Sequence, residues 1–149
     1  MAGSMALALL SCSAPQQRPA DILVINGWTR EIARGQSAAA VYLTITNKGE
    51  GSDRLVSVET RLGQASLHTT SSAGGVARMR PLEDGLDIAP GSTVELKPGG
   101  NHIMLTGIHR RPAAGESIDL TLSFERSGKR PVTASVVNAG GDVHSGMSM

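Results

Sequence analysis

Apolar and polar side chains alternate strictly in the segment IDLTLSFE, residues 118–125, and again in VYLTIT, residues 41–46. Successive side chains of an extended strand point to opposite faces, so a period of two predicts strands that are buried on one face and solvated on the other. From residue 21 onward no segment sustains a helical period. The chain is therefore predicted to be all-β.

Weaker alternation occurs in seven further segments, at residues 22–25, 55–59, 64–69, 76–80, 93–96, 102–106 and 132–137, with glycine- and proline-containing turns between them. Roughly eight or nine short strands joined by such turns are typical of a β-sandwich. A length of 149 residues fits one domain with two tails. We predict a Greek-key β-sandwich of two antiparallel sheets over residues 21–138.

Composition excludes several classes of function. The net charge is +1, and the chain has one Trp, one Tyr and one Phe, so the basic patch and stacking aromatics of a nucleic-acid-binding protein are missing. Cys12 is the only cysteine, and it precedes the predicted sandwich, which can therefore hold neither a disulfide nor a thiolate metal site. No nucleophile–base pair, phosphate loop or paired carboxylates stand out, so we do not expect an enzyme.

Residues 1–12 end in the apolar run MALALLSC, which resembles the end of a bacterial lipoprotein signal peptide. Such a signal makes Cys12 the lipidated first residue of the mature protein, with residues 13–20 as a flexible tether. We then expect the domain in the periplasm or on the outer side of the cytoplasmic membrane. The signal is atypical, because residues 1–4 lack Lys and Arg. The alternative is an unprocessed N-terminus with an inert free thiol.

The tripeptide His102-Ile103-Met104 predicts a pair of metal ligands. On a strand, the side chains of His102 and Met104 project from the same face, while Ile103 and Leu105 point into the core. An imidazole and a thioether therefore stand side by side.

A second imidazole and thioether flank a predicted hairpin. A turn folded symmetrically about residues 73 and 74 sets His68 directly opposite Met79, and cross-strand partners have Cβ atoms about 5 Å apart. The same register would place Arg80 opposite Leu67 and aim a charge at the core. We therefore expect a bulge or the end of the strand there, beside Pro81.

If the two pairs meet, His68, Met79, His102 and Met104 form a His₂Met₂ set of neutral ligands. Two soft thioethers without thiolate or carboxylate suit Cu(I), whereas zinc, calcium and magnesium prefer other donors. A blue-copper centre needs a Cys thiolate, so carrying copper fits better than electron transfer. Each residue alone could instead be core filler or a surface side chain.

The spacing His68, ten residues, Met79, twenty-two residues, His102-x-Met104 resembles the signature of the PCu(A)C periplasmic copper chaperones. The surrounding segments AVYLTI (40–45), MRPL (79–82) and VELKPGGNHIML (94–105), together with Trp28, are similar too. Thr69 follows His68 where many members have Met. The resemblance implies a cupredoxin-like sandwich with Cu(I) at its surface. It also implies delivery to an oxidase copper subunit, directly or through a Sco-type protein.

The C-terminal segment, residues 139–149, is polar and glycine-rich but contains His144, Met147 and Met149. Some members of the PCu(A)C family carry a similar extension, which implies a second copper site, with Cu(II) as the ion if nitrogen ligands dominate. The alternative is a tail with incidental residues. His109 is expected in a solvated loop, beside Arg110 and Arg111, which would help to dock an acidic recipient.

The sequence thus predicts a monomeric, extracytoplasmic copper metallochaperone. Two other hypotheses stay open. One is copper buffering or resistance without a dedicated recipient, which would use the same site. The other is a β-sandwich for adhesion or assembly that binds no metal.

Overall fold

The computed structural model of the protein describes residues 18–139, and every regular element among them is a β-strand. Ten strands follow one another along the chain: β1 Ile22–Arg30, β2 Ala39–Asn47, β3 Asp53–Glu59, β4 Gln64–Ala73, β5 Val76–Pro81, β6 Leu86–Ile88, β7 Thr93–Glu95, β8 Asn101–Thr106, β9 Ser117–Phe124 and β10 Gly128–Val137. The all-β prediction is confirmed, although β6 was not anticipated. Within these residues, no helix has the length and apolarity needed to cross a membrane.

The strands form one continuous hydrogen-bonded path rather than two separate sheets. Its order is β5-β4-β8-β2-β1-β10-β9-β3-β6, with β7 pairing β2 beside this path. All pairs are antiparallel except β1 and β10, which run parallel through residues such as Trp28 and Ser135. The expectation of two purely antiparallel sheets was therefore wrong in this detail. Pairing between the first and last strands depends on contacts distant in sequence, which alternation does not reveal.

Alternate side chains from both halves of the path meet in a single hydrophobic core. Val41, Leu43 and Ile45 of β2 are fully buried, and so are Leu120 and Leu122 of β9. Burying one such side chain contributes about 1.5–3 kcal/mol to folding. The intervening residues of β2 lie on the outer face, so the predicted two-sided strands are confirmed.

The β4–β5 hairpin turns at Gly74 and Gly75, whose φ angles are 61° and 79°. Two consecutive residues with positive φ make a two-residue turn, which glycine adopts without strain. Ala73 therefore pairs with Val76 across the turn.

This turn corrects the predicted register. Met79 lies opposite Thr70, and the partner of His68 in β5 is Pro81 rather than Met79. The displacement is two residues, so His68 and Met79 remain on the same face of the hairpin. Arg80 lies opposite Thr69, on the exposed part of the hairpin, and does not point into the core. The expected strand end is present, because β5 ends at Pro81.

The segment that leads into β1 lies against the domain. The guanidinium of Arg126 donates a hydrogen bond to the carbonyl oxygen of Arg18, and the backbone N–H of Gly51 donates one to that of Pro19. Residues 18–20 of the predicted tether are thus held on the sandwich. Residues 13–17 lie outside the described part.

The buried carboxylate of Asp53 links β3 to the β9–β10 turn by hydrogen bonds. Asp53 accepts hydrogen bonds from the backbone N–H groups of Arg54, Arg126 and Ser127 and from the Ser127 hydroxyl. Burial by itself would raise the pKa of Asp53, but these hydrogen bonds favour the charged form more strongly and lower it.

Replacing this carboxylate should therefore destabilise the fold. Asp53→Asn is expected to lower the free energy of unfolding by about 2 kcal/mol at pH 7. The NH₂ group of the asparagine would face two hydrogen-bond donors and could not accept from them. A depressed pKa adds stability above the ordinary pKa of an unfolded Asp, about 3.9, and that stability is lost as the pH falls through the folded value. The difference from wild type should therefore shrink in acid.

Urea unfolding at neutral and acidic pH measures both effects. Asp87→Asn is the matched control, because Asp87 only forms an exposed ion pair with Arg54; it should cost less than about 1 kcal/mol. Equal losses in the two variants would contradict a structural role for Asp53.

Candidate metal centre

His102 is buried, at 3% exposure, although it lies on the outer face of β8. Its Nδ1 is 3.2 Å from the carbonyl oxygen of Gly100. A carbonyl oxygen only accepts, so Nδ1 carries the hydrogen and Nε2 keeps its lone pair. That Nε2 is buried and has no hydrogen-bond partner among residues 18–139. Buried polar atoms are nearly always paired, and an imidazole fixed by a carbonyl at its other nitrogen is the usual form of a metal ligand.

His68 is the cross-strand neighbour of His102. The two residues are directly opposite in the β4–β8 pairing, and their rings stack with centroids 6.0 Å apart and an angle of 19° between planes. Nδ1 of His68 lies 3.3 Å from the hydroxyl of Ser66. The two imidazoles are therefore brought together by β8 rather than by the β4–β5 hairpin.

The two thioethers lie on the same face as these imidazoles. Met104 is two residues from His102 along β8, opposite Ser66 of β4, and is half-buried. Met79 lies opposite Thr70, diagonal to His68, and is 53% exposed. Diagonal neighbours on one sheet face remain within reach of long side chains. The structure thus gathers all four predicted ligands on the outer face of β8, β4 and β5.

The donors available here suit a soft metal ion. Two imidazoles, one with an unpaired lone pair, and two thioethers are neutral and match copper better than zinc, calcium or magnesium. No cluster of three or more His, Cys, Asp or Glu occurs within residues 18–139. A site built from three or more imidazoles, thiolates or carboxylates is thus absent from the part of the chain that the structure describes.

A model of the family described as "Putative lipoprotein LpqE-like" matches residues 22–136, which include the whole candidate site. The chain belongs to the LpqE-like family. A relative from Leifsonia xyli subsp. xyli, also described as a lipoprotein, is 30% identical over 132 residues, covering 88% of this chain and 78% of the relative. An uncharacterized protein of Rickettsia prowazekii is 29% identical over 126 residues, covering 80% and 70%.

Several solved structures of other proteins are similar to this LpqE-like chain. The copper-bound PCuAC domain from PmoF2 is 25% identical, with a TM-score of 0.66 and coverage of 78% of this chain and 92% of that domain. The solution structure of CuI-DR1885 from Deinococcus radiodurans is 29% identical, with a TM-score of 0.63 and coverage of 83% and 81%. The cupredoxin-like fold class is thereby confirmed, and the resemblance to the PCu(A)C family is supported.

Two aromatic residues lie next to the predicted ligands of this LpqE-like protein. Tyr42 lies beside His102, with ring centroids 6.4 Å apart, and Trp28 packs on Tyr42 at 4.6 Å. Burial raises the pKa of Tyr42, and the charge of Arg30 partly offsets this. Alternation with Val41 and Leu43 already placed Tyr42 on the outer face, which is the signal that could have identified it.

A bulge in β1 places Trp28 beside Tyr42. Ile25 pairs with Thr44 and Trp28 with Tyr42, so β1 contains one residue more than β2 over this stretch. A Cβ atom on Gly27, inside the bulge, would lie 2.6 Å from the carbonyl oxygen of Thr133. Glycine is therefore required there, and the extra residue sets Trp28 on the same face as Tyr42.

The other predicted candidates do not join this site. His109 is exposed in a loop, as expected, and its Nε2 lies 2.8 Å from the carbonyl oxygen of Arg61. Cys12 and the C-terminal candidates His144, Met147 and Met149 lie outside the described residues. Their roles in lipidation and Cu(II) binding stay predictions.

The tautomer of His102 can be checked without metal. Long-range ¹H–¹⁵N NMR of the copper-free protein should show hydrogen on Nδ1 and a bare Nε2, because Gly100 accepts from Nδ1. His109 provides an internal comparison, since its hydrogen should be on Nε2, which faces the Arg61 carbonyl. Hydrogen on Nε2 of His102 would contradict the proposed orientation of its lone pair.

Proposed function

We propose that the protein is an extracytoplasmic copper metallochaperone that binds one Cu(I) ion through His68, Met79, His102 and Met104. The observation that carries the proposal is the Nε2 of His102, which is buried and has no hydrogen-bond partner among residues 18–139. It lies next to a second imidazole and on the same face as two thioethers. Leaving such a lone pair unsatisfied costs about 1–3 kcal/mol. Coordination of a metal ion would remove that cost.

The donor set favours Cu(I) as cargo rather than as a redox centre. The only cysteine in the sequence is Cys12, so residues 18–139 supply no thiolate for an electron-transfer site. Two structural neighbours, named as the copper-bound PCuAC domain from PmoF2 and as CuI-DR1885, support copper as the ion. The same neighbours are consistent with a protein that is not an enzyme.

The four ligands differ in burial, so they would differ in how firmly they hold the copper ion. The ring of His102 is fixed by Gly100 and shielded by Tyr42, so it would hold the ion most firmly. Met79 is the most exposed of the four, so it would be the first ligand that an incoming donor displaces. Stepwise exchange of neutral ligands would let Cu(I) pass to another protein without release into water.

We propose that the copper passes to the copper centre of a respiratory oxidase, either directly or through a Sco-type protein. This destination comes from the resemblance to PCu(A)C chaperones. Copper buffering without a recipient remains the alternative, since it would use the same ligands. Membership of a lipoprotein family supports export and lipidation at Cys12, and mass spectrometry of the mature N-terminus tests that modification.

Anaerobic competition titration tests the site directly. Wild type should bind one Cu(I), and His102→Ala, His68→Ala and Met104→Ala should each weaken binding by at least about tenfold, since each removes one of four ligands. His109→Ala is the matched control, because this exposed imidazole lies outside the site, and it should bind as wild type does. Undetectable copper binding by wild type would favour the adhesion or assembly hypothesis.

Delivery and buffering predict different cell phenotypes. Cells lacking the protein should lose copper from the oxidase and regain it with wild type but not with His102→Ala, because the variant binds the ion too weakly to deliver it at low external copper. Oxidase copper content, measured at low external copper, provides the readout. Normal oxidase copper combined with increased sensitivity to added copper would support buffering instead.

A further inference from the structure

Strand β5 leaves one edge of the sheet unpaired within residues 18–139. It is the terminal strand of the path, and in this part of the chain it pairs with β4 alone. Residues flanking a two-residue turn exchange hydrogen bonds, and in an antiparallel pair such positions alternate. The hydrogen bond from Leu82 N–H to the Leu67 carbonyl continues this pattern past the end of β5.

The backbone of Ala77 and Met79 therefore faces away from β4. Ala77 pairs with Ser72 and Met79 with Thr70, and both pairs are of the non-hydrogen-bonded kind. Ala77 and Met79 therefore each direct one N–H and one C=O to the free side. Pro81 occupies the next position of this kind, where it has no N–H to offer. The free edge is thus short and ends just beyond Met79.

The side chains along this edge are cationic and partly apolar. All residues of β5 are exposed, and Val76 and Met79 are more than half exposed, at 56% and 53%. Arg78 and Arg80 form no ion pair within residues 18–139. The sequence from residue 61 to residue 82 contains no Asp or Glu. Nothing on the hairpin itself neutralises the two guanidinium groups.

We propose that the free edge of β5 docks an extended acidic segment of the copper-receiving protein. The segment would add a strand by hydrogen bonding to Ala77 and Met79, and its carboxylates would lie beside Arg78 and Arg80. The identity of the partner as a copper recipient rests on the proposed function. Charge complementarity, together with the exposed Val76 and Met79, favours a partner segment in which acidic and apolar residues alternate.

This edge is also where an incoming ligand would first reach the site. Met79 belongs both to the candidate metal centre and to the free edge, whereas Arg78 and Arg80 lie on the opposite face of the strand. A docked strand could therefore pair with the arginines on one face and present a donor beside Met79 on the other. Docking and ligand exchange would then occur at one place.

A competing explanation is that Arg78, Arg80 and Pro81 only protect the edge from pairing, as charges and proline do in many proteins. The full-length, copper-free protein distinguishes these explanations when it is titrated with two synthetic peptides, acetyl-(Glu-Val)₄-amide and acetyl-(Lys-Val)₄-amide. Docking predicts that the acidic peptide shifts the amide NMR signals of Ala77 and Met79. The basic peptide should bind at least about tenfold more weakly.

Two variants test the contacts. Arg78→Glu combined with Arg80→Glu should weaken binding of the acidic peptide roughly tenfold, the size expected for two lost ion pairs replaced by repulsion. Ala77→Pro removes only an N–H on the free side and should also weaken binding. The matched control, Arg34→Glu combined with Arg130→Glu, changes the net charge equally at two other exposed arginines and should stay within about twofold of wild type.

Several results would overturn the proposal: no shifts at Ala77 and Met79, equal binding of both peptides, or equal weakening by both double variants. Shifts at β5 that depend on protein concentration without peptide would show that a second copy of the chain occupies the edge. Cu(I) affinity of the Arg78→Glu/Arg80→Glu variant should equal that of wild type. Copper binding without peptide binding defeats the docking proposal alone, whereas absence of copper binding defeats the proposed function.

Discussion

The register of β8 between β2 and β4 is the constraint on which the candidate site depends. Ile103 and Leu105 are fully buried, so His102 and Met104 must project from the other face. A slip of one residue would expose the two aliphatic side chains and turn the ligands into the core, which burial energy opposes. The same packing that stabilises the sandwich therefore positions the proposed copper ligands.

The neighbouring rings of Trp28, Tyr42, His102 and His68 give this exposed sheet face a buried centre. Tyr42 covers one side of His102 and His68 the other, while Trp28 packs behind Tyr42. Such cover strengthens electrostatic interactions and makes an unpaired lone pair costly. In the proposed chaperone, that cost favours the metal-bound form, and the exposed Met79 keeps one side open for exchange.

The proposed site and the proposed docking edge share the β4–β5 hairpin. Its turn at Gly74 and Gly75 sets Thr70, not His68, opposite Met79, and it also turns the backbone of Met79 toward the free side. One local feature thus determines how Met79 stands relative to the imidazoles and to an approaching strand. Similarity to the copper-bound PCuAC domain from PmoF2 is consistent with the proposal that copper binds at this surface.

The sequence by itself determined the all-β class, most of the strands and the pairing of His102 with Met104 on one face, because alternation is a local property with a period of two. The spacing of the four candidate ligands likewise needed no structure to be recognised. Only the tertiary structure decided that His68 faces His102, that β1 runs parallel to β10 and that a bulge brings Trp28 to Tyr42. These relations depend on turn geometry and on packing between distant segments, and a pattern within one strand contains no information about which strand lies beside it.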